Sequence, residues 1–253
     1  MKIASIACTL AVGLLVALSW GTPAFAQATR TWVSGVGDDA NPCSRTAPCK
    51  TFPGALSKTA PGGEINCLDA GGFGNVTITK SISIICEVEA GVLASGATGV
   101  LINAASTDRV LLDGLDIEGL GAGTNVDGIK ILSAGVVYIR NCSIRRFTGN
   151  GVNLNSTTNP VRALIQDSFI VLNGGGVHVM GNANVASLTH TVVDGNTNFA
   201  VQADGTGNIV AAANSVLTGT AAISLLNGGT ADSFGPSNVV SGSSTFTTTA
   251  PFK

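Results

Sequence analysis

Short segments that begin and end on apolar residues recur through the middle of the chain, with polar or glycine residues between them. Five of these segments align on one turn position, at steps of 27, 26, 23 and 24 residues. The residues at that position are Gly114, Asn141, Asp167, His190 and Asn214. A period of this size, built from short β-type segments, is typical of a solenoid in which each repeat buries its apolar face against its neighbours.

A second element returns in the same phase, at steps of 23, 25, 24 and 22 residues, and consists of a small residue followed by an aliphatic one. Because side chains alternate across a strand, Val152 and Leu154 are predicted to point inward, and Asn153 and Asn155 outward. The same phase predicts that aspartate in place of inward Val177 prevents folding, whereas aspartate in place of outward Asn153 hardly changes stability. It also predicts two outer columns: Lys130, Asn153, His178, Gln202 and Ser224; and Leu132, Asn155, Met180, Asp204 and Leu226.

The N-terminal part of the chain does not follow the repeat. It contains a short strand, a Gly/Asp/Asn-rich loop, Pro-Cys-Lys-Thr-Phe opening an amphipathic segment, and Gly62-Gly63-Glu64-Ile65. Phe52, Ala55 and Leu56 lie at i, i+3 and i+4, which predicts a short helix with one apolar face that covers the first repeat. This order resembles the N-terminal block of secreted right-handed parallel β-helix proteins of the pectate-lyase-like superfamily, and the repeats after Ile82 resemble theirs.

The repeats and the resemblance together imply an all-β fold, a right-handed parallel β-helix with a short N-terminal capping helix. The expected organisation is a cleaved signal peptide at 1–26, a strand, loop and capping helix at 27–62, the β-helix at 63–240, and a C-terminal cap or tail at 241–253.

The signal peptide is indicated by Lys2, an apolar run from Ile6 to Trp20, and the small-x-small triplet Ala24-Phe25-Ala26. The run is shorter than the ~20 residues that a membrane-spanning helix needs, so no membrane span is expected. We therefore expect a secreted, periplasmic or extracellular protein. Only 11% of residues are charged and the formal net charge is −2, which gives no general field for attracting nucleic acid.

Export permits disulfides, and four cysteines are candidates for them. Cys43 and Cys49 bracket a short polar loop and are expected to pair. Cys67 and Cys86 fall at matching places on successive repeats, where either a bridge or two buried thiols would fit. Cys142 is expected to be a small interior residue.

Candidate chemistry outside the repeats is limited to one acidic loop. Asp38, Asp39 and Asn41 could supply oxygen ligands to calcium, or could form an Asx-type turn held by their own side chains. No other metal or cofactor is expected. In the turn column, His190 is expected to be a member of a hydrogen-bonded ladder rather than a catalyst.

The resemblance implies that any active site would lie on the outer face of one sheet, in a groove for an extended polysaccharide. The column of His178 is the candidate face, with His178, Asp204 and Lys130 as weak catalytic candidates and Asn153, Asn155 and Gln202 as binding candidates. A lyase needs a basic residue and a group that neutralises a uronate, and a hydrolase needs two nearby carboxylates. Neither set is complete. None of the signature motifs of the superfamily's polygalacturonases, pectate lyases and pectin esterases appears with its residues in the expected order.

A local basic cluster, Arg140, Arg145 and Arg146, offers a second binding candidate, through Arg140 and Arg146. Clustered arginines bind carboxylates or sulfates bidentately. The alternative is surface charge balanced by carboxylates of the preceding repeat, Asp113, Asp116 and Glu118.

Three functions follow from this sequence. The first is an exported, non-catalytic β-helix that binds extracellular or cell-surface polysaccharide, or surface proteins. The second is a polysaccharide lyase or glycoside hydrolase with a groove on the β-helix face. The third is a self-associating structural or adhesive element that joins through weakly capped C-terminal repeats.

Overall fold

The computed structural model describes residues 27–242 and 244–250, so the expected signal peptide at 1–26 lies outside the described residues. Over these two ranges the chain forms one short helix and 23 strands, which make one sheet of 16 strands and one of 7. None of the described helical structure is long and apolar enough to cross a membrane.

The elements, in chain order, are β1 (Ala28–Val33), α1 (Phe52–Lys58), β2 (Thr59–Cys67), β3 (Gly71–Gly72), β4 (Val76–Ile78), β5 (Ile82–Leu93), β6 (Val100–Asn103), β7 (Arg109–Glu118), β8 (Ile129–Ser133), β9 (Val136–Arg140), β10 (Ser143–Arg145), β11 (Asn150–Ser156), β12 (Arg162–Gln166), β13 (Phe169–Val171), β14 (Gly175–Gly181), β15 (Val185–Thr189), β16 (Val192–Asn196), β17 (Val201–Asp204), β18 (Ile209–Ala213), β19 (Val216–Gly219), β20 (Ile223–Leu226), β21 (Thr230–Phe234), β22 (Val239–Val240) and β23 (Thr248–Ala250).

The strands stack as successive coils of a parallel β-helix, which confirms the predicted fold class. The seven-stranded sheet has the order β4-β6-β8-β11-β14-β17-β20, with every pair parallel. In the larger sheet, β7 joins two stacks: β10-β13-β16-β19-β22 and β9-β12-β15-β18-β21-β23. Parallel pairing begins with β1 on β2, so the strand expected within 27–62 pairs with residues 59–67.

The interior is aliphatic, as the alternating pattern predicts. Val152, Leu154, Val177 and Ile144 have no exposed surface, and each stacks on a similar residue of the next coil. No single coil could enclose these side chains, so the hydrophobic stabilisation belongs to the stack and not to any repeat.

The helix α1 covers the N-terminal end of this interior. The Thr51 hydroxyl caps it by accepting a hydrogen bond from Gly54 N–H at 3.0 Å, and the predicted apolar residues of the helix are buried. At the other end of the helix, the Lys80 ammonium donates to the carbonyl of Leu56 at 2.8 Å and to that of Thr59. The last carbonyls of α1 are therefore satisfied by a later coil, which fixes the cap to the stack.

The turn column predicted from the repeat has one backbone conformation throughout. Asn141, Asp167, His190 and Asn214 all have φ between 49° and 51°, in the left-handed region that asparagine and aspartate tolerate better than most residues. His190 is exposed and lies between its two neighbours, 3.6 Å from Asp167 and 3.5 Å from Asn214. It contributes to a surface turn and not to a sheet face.

A tighter ladder, which the sequence analysis did not identify, runs through buried asparagines at a different turn. Asn173 Oδ1 accepts from Phe147 N–H at 3.0 Å, and its Nδ2 donates to Ile144 O at 3.1 Å. Asn196 repeats the pattern one coil later, accepting from Asn173 N–H at 2.9 Å and donating to Ile170 O at 3.0 Å. Each side chain thus satisfies backbone groups of the preceding coil that water cannot reach.

The expected Cys43–Cys49 bridge is present, and Cys67 and Cys86, for which a bridge or two thiols were both open, are also bridged. The second bridge joins β2 to the neighbouring strand β5, so the bridge, and not the pair of thiols, is the arrangement found at the stacked position. Cys142 is free and buried, and burial raises its pKa to about 12. Its thiol therefore stays protonated and unreactive at neutral pH.

Candidate functional site

Outward side chains form two columns on the seven-stranded sheet, the first polar and the second a mixture of polar and apolar residues. The register pairs Lys130, Asn153, His178, Gln202 and Ser224 on successive strands in the first column, and Asn155, Met180, Asp204 and Leu226 in the second. The residues predicted for this face therefore lie together, except Leu132, which has no partner in the register between β8 and β11.

A buried carboxylate that the sequence analysis missed lies beside the first column. Asp127 precedes β8 and is 3% exposed. Its Oδ1 accepts hydrogen bonds from the backbone N–H and the side-chain amide of Asn150, and its Oδ2 accepts one from Nδ2 of Asn153 at 2.8 Å. The Lys130 ammonium lies 3.8 Å from the same Oδ2. Both oxygens are thus used within the protein.

Asn153 is less exposed than an outward position predicts, and the expectation of an exposed side chain there is wrong. Only 8% of Asn153 is accessible, because it lies between Lys130 and His178 and is held by Asp127. Its Oδ1 is buried without a partner among the described residues. An outward-pointing side chain is therefore not exposed to solvent at this point of the stack.

Asn153→Asp is consequently expected to lower the free energy of unfolding by about 1–3 kcal/mol at pH 7, because it replaces an N–H donor with a second carboxylate against Asp127. Urea unfolding measures the change. Asn155→Asp, one step along the same strand and with no side-chain partner among the described residues, is the matched control. Equal midpoints for the two variants would contradict the burial of Asn153.

His178 is half-buried against Phe199, with the ring centroids 5.7 Å apart in an edge-on arrangement. Burial lowers the pKa of His178, and the nearby charges of Asp204 and Asp127 oppose this without reversing it. Within the described residues its Nε2 is buried without a hydrogen-bond partner. Among the described residues, no hydrogen bond to Nε2 orients this imidazole for proton transfer, and the lowered pKa leaves the ring neutral at neutral pH.

The lowered pKa has a measurable consequence for stability. The native state binds a proton at His178 less readily than the unfolded chain, whose pKa is about 6.5. The contribution of the neutral ring is therefore fully present above about pH 6.5 and is lost as the pH falls below it toward the native pKa. NMR titration of the imidazole in a His190→Ala variant, in which His178 is the remaining histidine, should give a pKa below 6.5. A value above 6.5 would contradict the burial.

The groups that a ligand could reach lie around this centre. Gln202 donates from Nε2 to the Ser224 hydroxyl at 2.8 Å, which leaves its amide oxygen available. Asp204 accepts from Asn227 at one carboxylate oxygen only. Asn155 makes no side-chain hydrogen bond with any described residue. These groups form a half-exposed strip of acceptors and amides.

The basic cluster does not share this face, and each of its arginines is paired with a carboxylate of the preceding coil. The pairs are Arg140–Asp113 at 2.7 Å, Arg145–Asp116, Arg145–Glu118 at 2.7 Å and Arg146–Glu118 at 2.7 Å. Burial alone would raise the pKa of Glu118, but hydrogen bonds from Arg146, Leu120 N–H and Arg145 outweigh it and hold the pKa below its usual value. The arrangement is that of balanced charge between two coils.

The acidic N-terminal loop is also occupied by internal contacts. Asp39 accepts bonds from two backbone N–H groups and from the Thr51 hydroxyl, and Asp38 forms an Asx turn. The Lys58 ammonium contacts the carbonyls of Asp39 and Asn41, where a cation would bind. Across residues 27–242 and 244–250, no group of three or more His, Cys, Asp or Glu side chains is placed to hold a metal ion. Calcium binding stays an untested prediction.

Comparison with known proteins agrees with this architecture. The crystal structure of pectate lyase Pel9A superposes with a TM-score of 0.56 at 12% sequence identity, covering 83% of this chain and 69% of that one. The fold is the pectate-lyase-like parallel β-helix. No protein-family model and no curated protein matches the sequence. At this identity the likeness concerns the fold alone, so the chemistry of this chain depends on its own residues.

The residues missed on this face share one position in the repeat. Asp127, Asn150, Gly175 and Phe199 each immediately precede the small residue that opens the repeated pair. Gly175 leaves space here, since a Cβ would lie 2.4 Å from Asn150 Oδ1 and 2.6 Å from the Phe199 ring. The signal that marks this third column in the sequence is its constant place, one residue before the repeated pair.

Proposed function

We propose that this protein is an exported, non-catalytic scaffold that binds polysaccharide along the outer face of its seven-stranded sheet. The observation that carries the proposal is the state of Asp127, the buried carboxylate of this face. Its oxygens are engaged by Asn150 and Asn153, and Lys130 lies against it, so neither the acid nor the base is free to exchange a proton with a substrate.

The other candidate catalysts support the same conclusion. Retaining and inverting glycosidases need two carboxyl groups at set separations across the scissile bond. Asp204 shares no hydrogen bond with His178 in the described chain, and one of its oxygens is bound by Asn227. A row of amides and acceptors on adjacent strands fits the hydroxyl groups of an extended glycan without supplying a nucleophile or a general acid.

The test is a binding and turnover screen of the purified protein on uronate-rich and neutral polysaccharides, with and without calcium. We expect retention without unsaturated products or new reducing ends, and we expect His178→Ala and Gln202→Ala to weaken it. His190→Ala is the matched control, because that histidine is exposed in a turn away from the sheet face. Turnover abolished by His178→Ala or Asp204→Ala would overturn the non-catalytic proposal in favour of a lyase or hydrolase.

A second candidate function, self-association, is favoured by the C-terminal coils. Leu225, Leu226, Phe234 and Val239 are each 39–57% exposed there, unlike the residues beneath α1 at the other end. Sedimentation velocity over a hundredfold concentration range tests it. A mass that rises with concentration, with no retention on any glycan, would support a structural or adhesive role instead of the binding scaffold.

A further inference from the structure

The ligand of the polar face can be narrowed by its charge. Four ionisable side chains belong to this face in the described chain: Asp127, Lys130, His178 and Asp204. Lys130 is balanced by Asp127 at 3.8 Å, the imidazole of His178 is neutral above about pH 6.5, and Asp204 lies on the next strand without a cationic partner among the described residues. The face therefore carries a small net negative charge.

The arginines do not change this balance. Arg140 and Arg145 belong to β9 and β10 in the larger sheet, and Arg146 follows β10, with all three neutralised by their own carboxylates. A uronate polymer on the polar face would meet no unpaired guanidinium or ammonium group of that face, and it would bring its carboxylates close to Asp204.

The hydrogen-bonding groups left on the face suit hydroxyls. A hydroxyl can donate to the second oxygen of Asp204 and to the Gln202 amide oxygen, and it can accept from the amide of Asn155. Met180 lies between Asn155 and Asp204 in register and offers an apolar surface to the C–H face of a sugar ring.

We infer that this face takes a neutral, hydroxyl-rich polysaccharide and disfavours carboxylated polymers. The inference rests on the proposed binding function and adds the ligand class. A pectate lyase shares this fold, but the one cationic side chain that the described residues place on this face, Lys130, is paired with Asp127.

The experiment uses matched polymers that differ only in charge. One pair is fully methyl-esterified homogalacturonan and the same polymer after de-esterification. The other is a soluble neutral β-glucan before and after oxidation of its primary hydroxyls to carboxylates. Affinity electrophoresis of the full chain at pH 7.5 and low salt should show the neutral member of a binding pair held roughly tenfold tighter, a difference of about 1.4 kcal/mol, because carboxylates on the polymer are repelled by Asp204.

Two variants locate the effect. Asp204→Asn should shift the ratio of the two affinities severalfold toward the carboxylated member, whereas Asp194→Asn, which changes an exposed carboxylate on β16 in the larger sheet, should leave that ratio unchanged. Equal or tighter binding of the carboxylated member to the wild type would overturn the inference and leave the binding function standing. If neither pair and no other polymer in the screen binds the protein, the proposed binding function is overturned, and the inference with it.

Discussion

Val177→Asp is expected to leave the protein unfolded at 25 °C. Val177 has no exposed surface and is paired with Val152 on one side and Val201 on the other, so a carboxylate there would meet only aliphatic side chains. Burying an unpaired charge costs several kcal/mol, comparable to the whole net stability of a domain. Far-UV circular dichroism and gel filtration of the purified variant are the measurements.

The matched control is Asn155→Asp, on the adjacent strand β11 but facing outward and half-exposed. It should change the free energy of unfolding by no more than about 0.5 kcal/mol. A folded Val177→Asp variant, or comparable losses at both positions, would show that the inward and outward assignment of this sheet is wrong.

Asn173→Ala is expected to cost about 2–4 kcal/mol of stability. The side chain satisfies the N–H of Phe147 and the carbonyl of Ile144, and alanine leaves both groups buried without partners, at ~1–3 kcal/mol each. Asn173→Asp keeps the acceptor for Phe147 N–H but loses the amide donor and buries a carboxylate. Its loss of stability should therefore become smaller at low pH, as the carboxyl group is protonated. Urea unfolding from pH 7 to pH 4 distinguishes the two variants.

An exposed asparagine provides the reference for this measurement. Asn182 lies in a surface turn after β14 and makes no side-chain hydrogen bond with a described residue. Asn182→Ala should stay within about 0.5 kcal/mol of the wild type. If Asn173→Ala behaves in the same way, the buried ladder is not a source of stability.

Strand phase could be predicted from this sequence because one physical signal repeats in every coil. Inward aliphatic residues such as Val152 and Leu154 recur at a nearly constant period, and the fold follows from stacking them. The capping helix could also be predicted, because Phe52, Ala55 and Leu56 are spaced as on one face of a helix.

What the sequence did not reveal depends on contacts between coils. The burial of Asn153 follows from Asp127, which lies 26 residues earlier and belongs to another coil. Asn173 and Asn196 look like ordinary loop residues along the chain, yet they are 2% exposed because neighbouring turns close over them. A repeat pattern identifies which residues share a column, but it does not say which columns are covered.

The two ends of the stack are closed to different degrees, and this limits how copies of the molecule could associate. Both edge strands of the seven-stranded sheet, β4 and β20, pair on one side only, but α1 packs against β4, whereas no described helix packs against β20. A head-to-tail contact would have to displace the helix, so filaments that grow by repeated end-to-end addition are disfavoured. Contact between the open C-terminal ends of two copies is self-complementary, and it leaves neither open end free for a third copy. End-to-end assembly of this chain would therefore stop at a twofold-symmetric dimer.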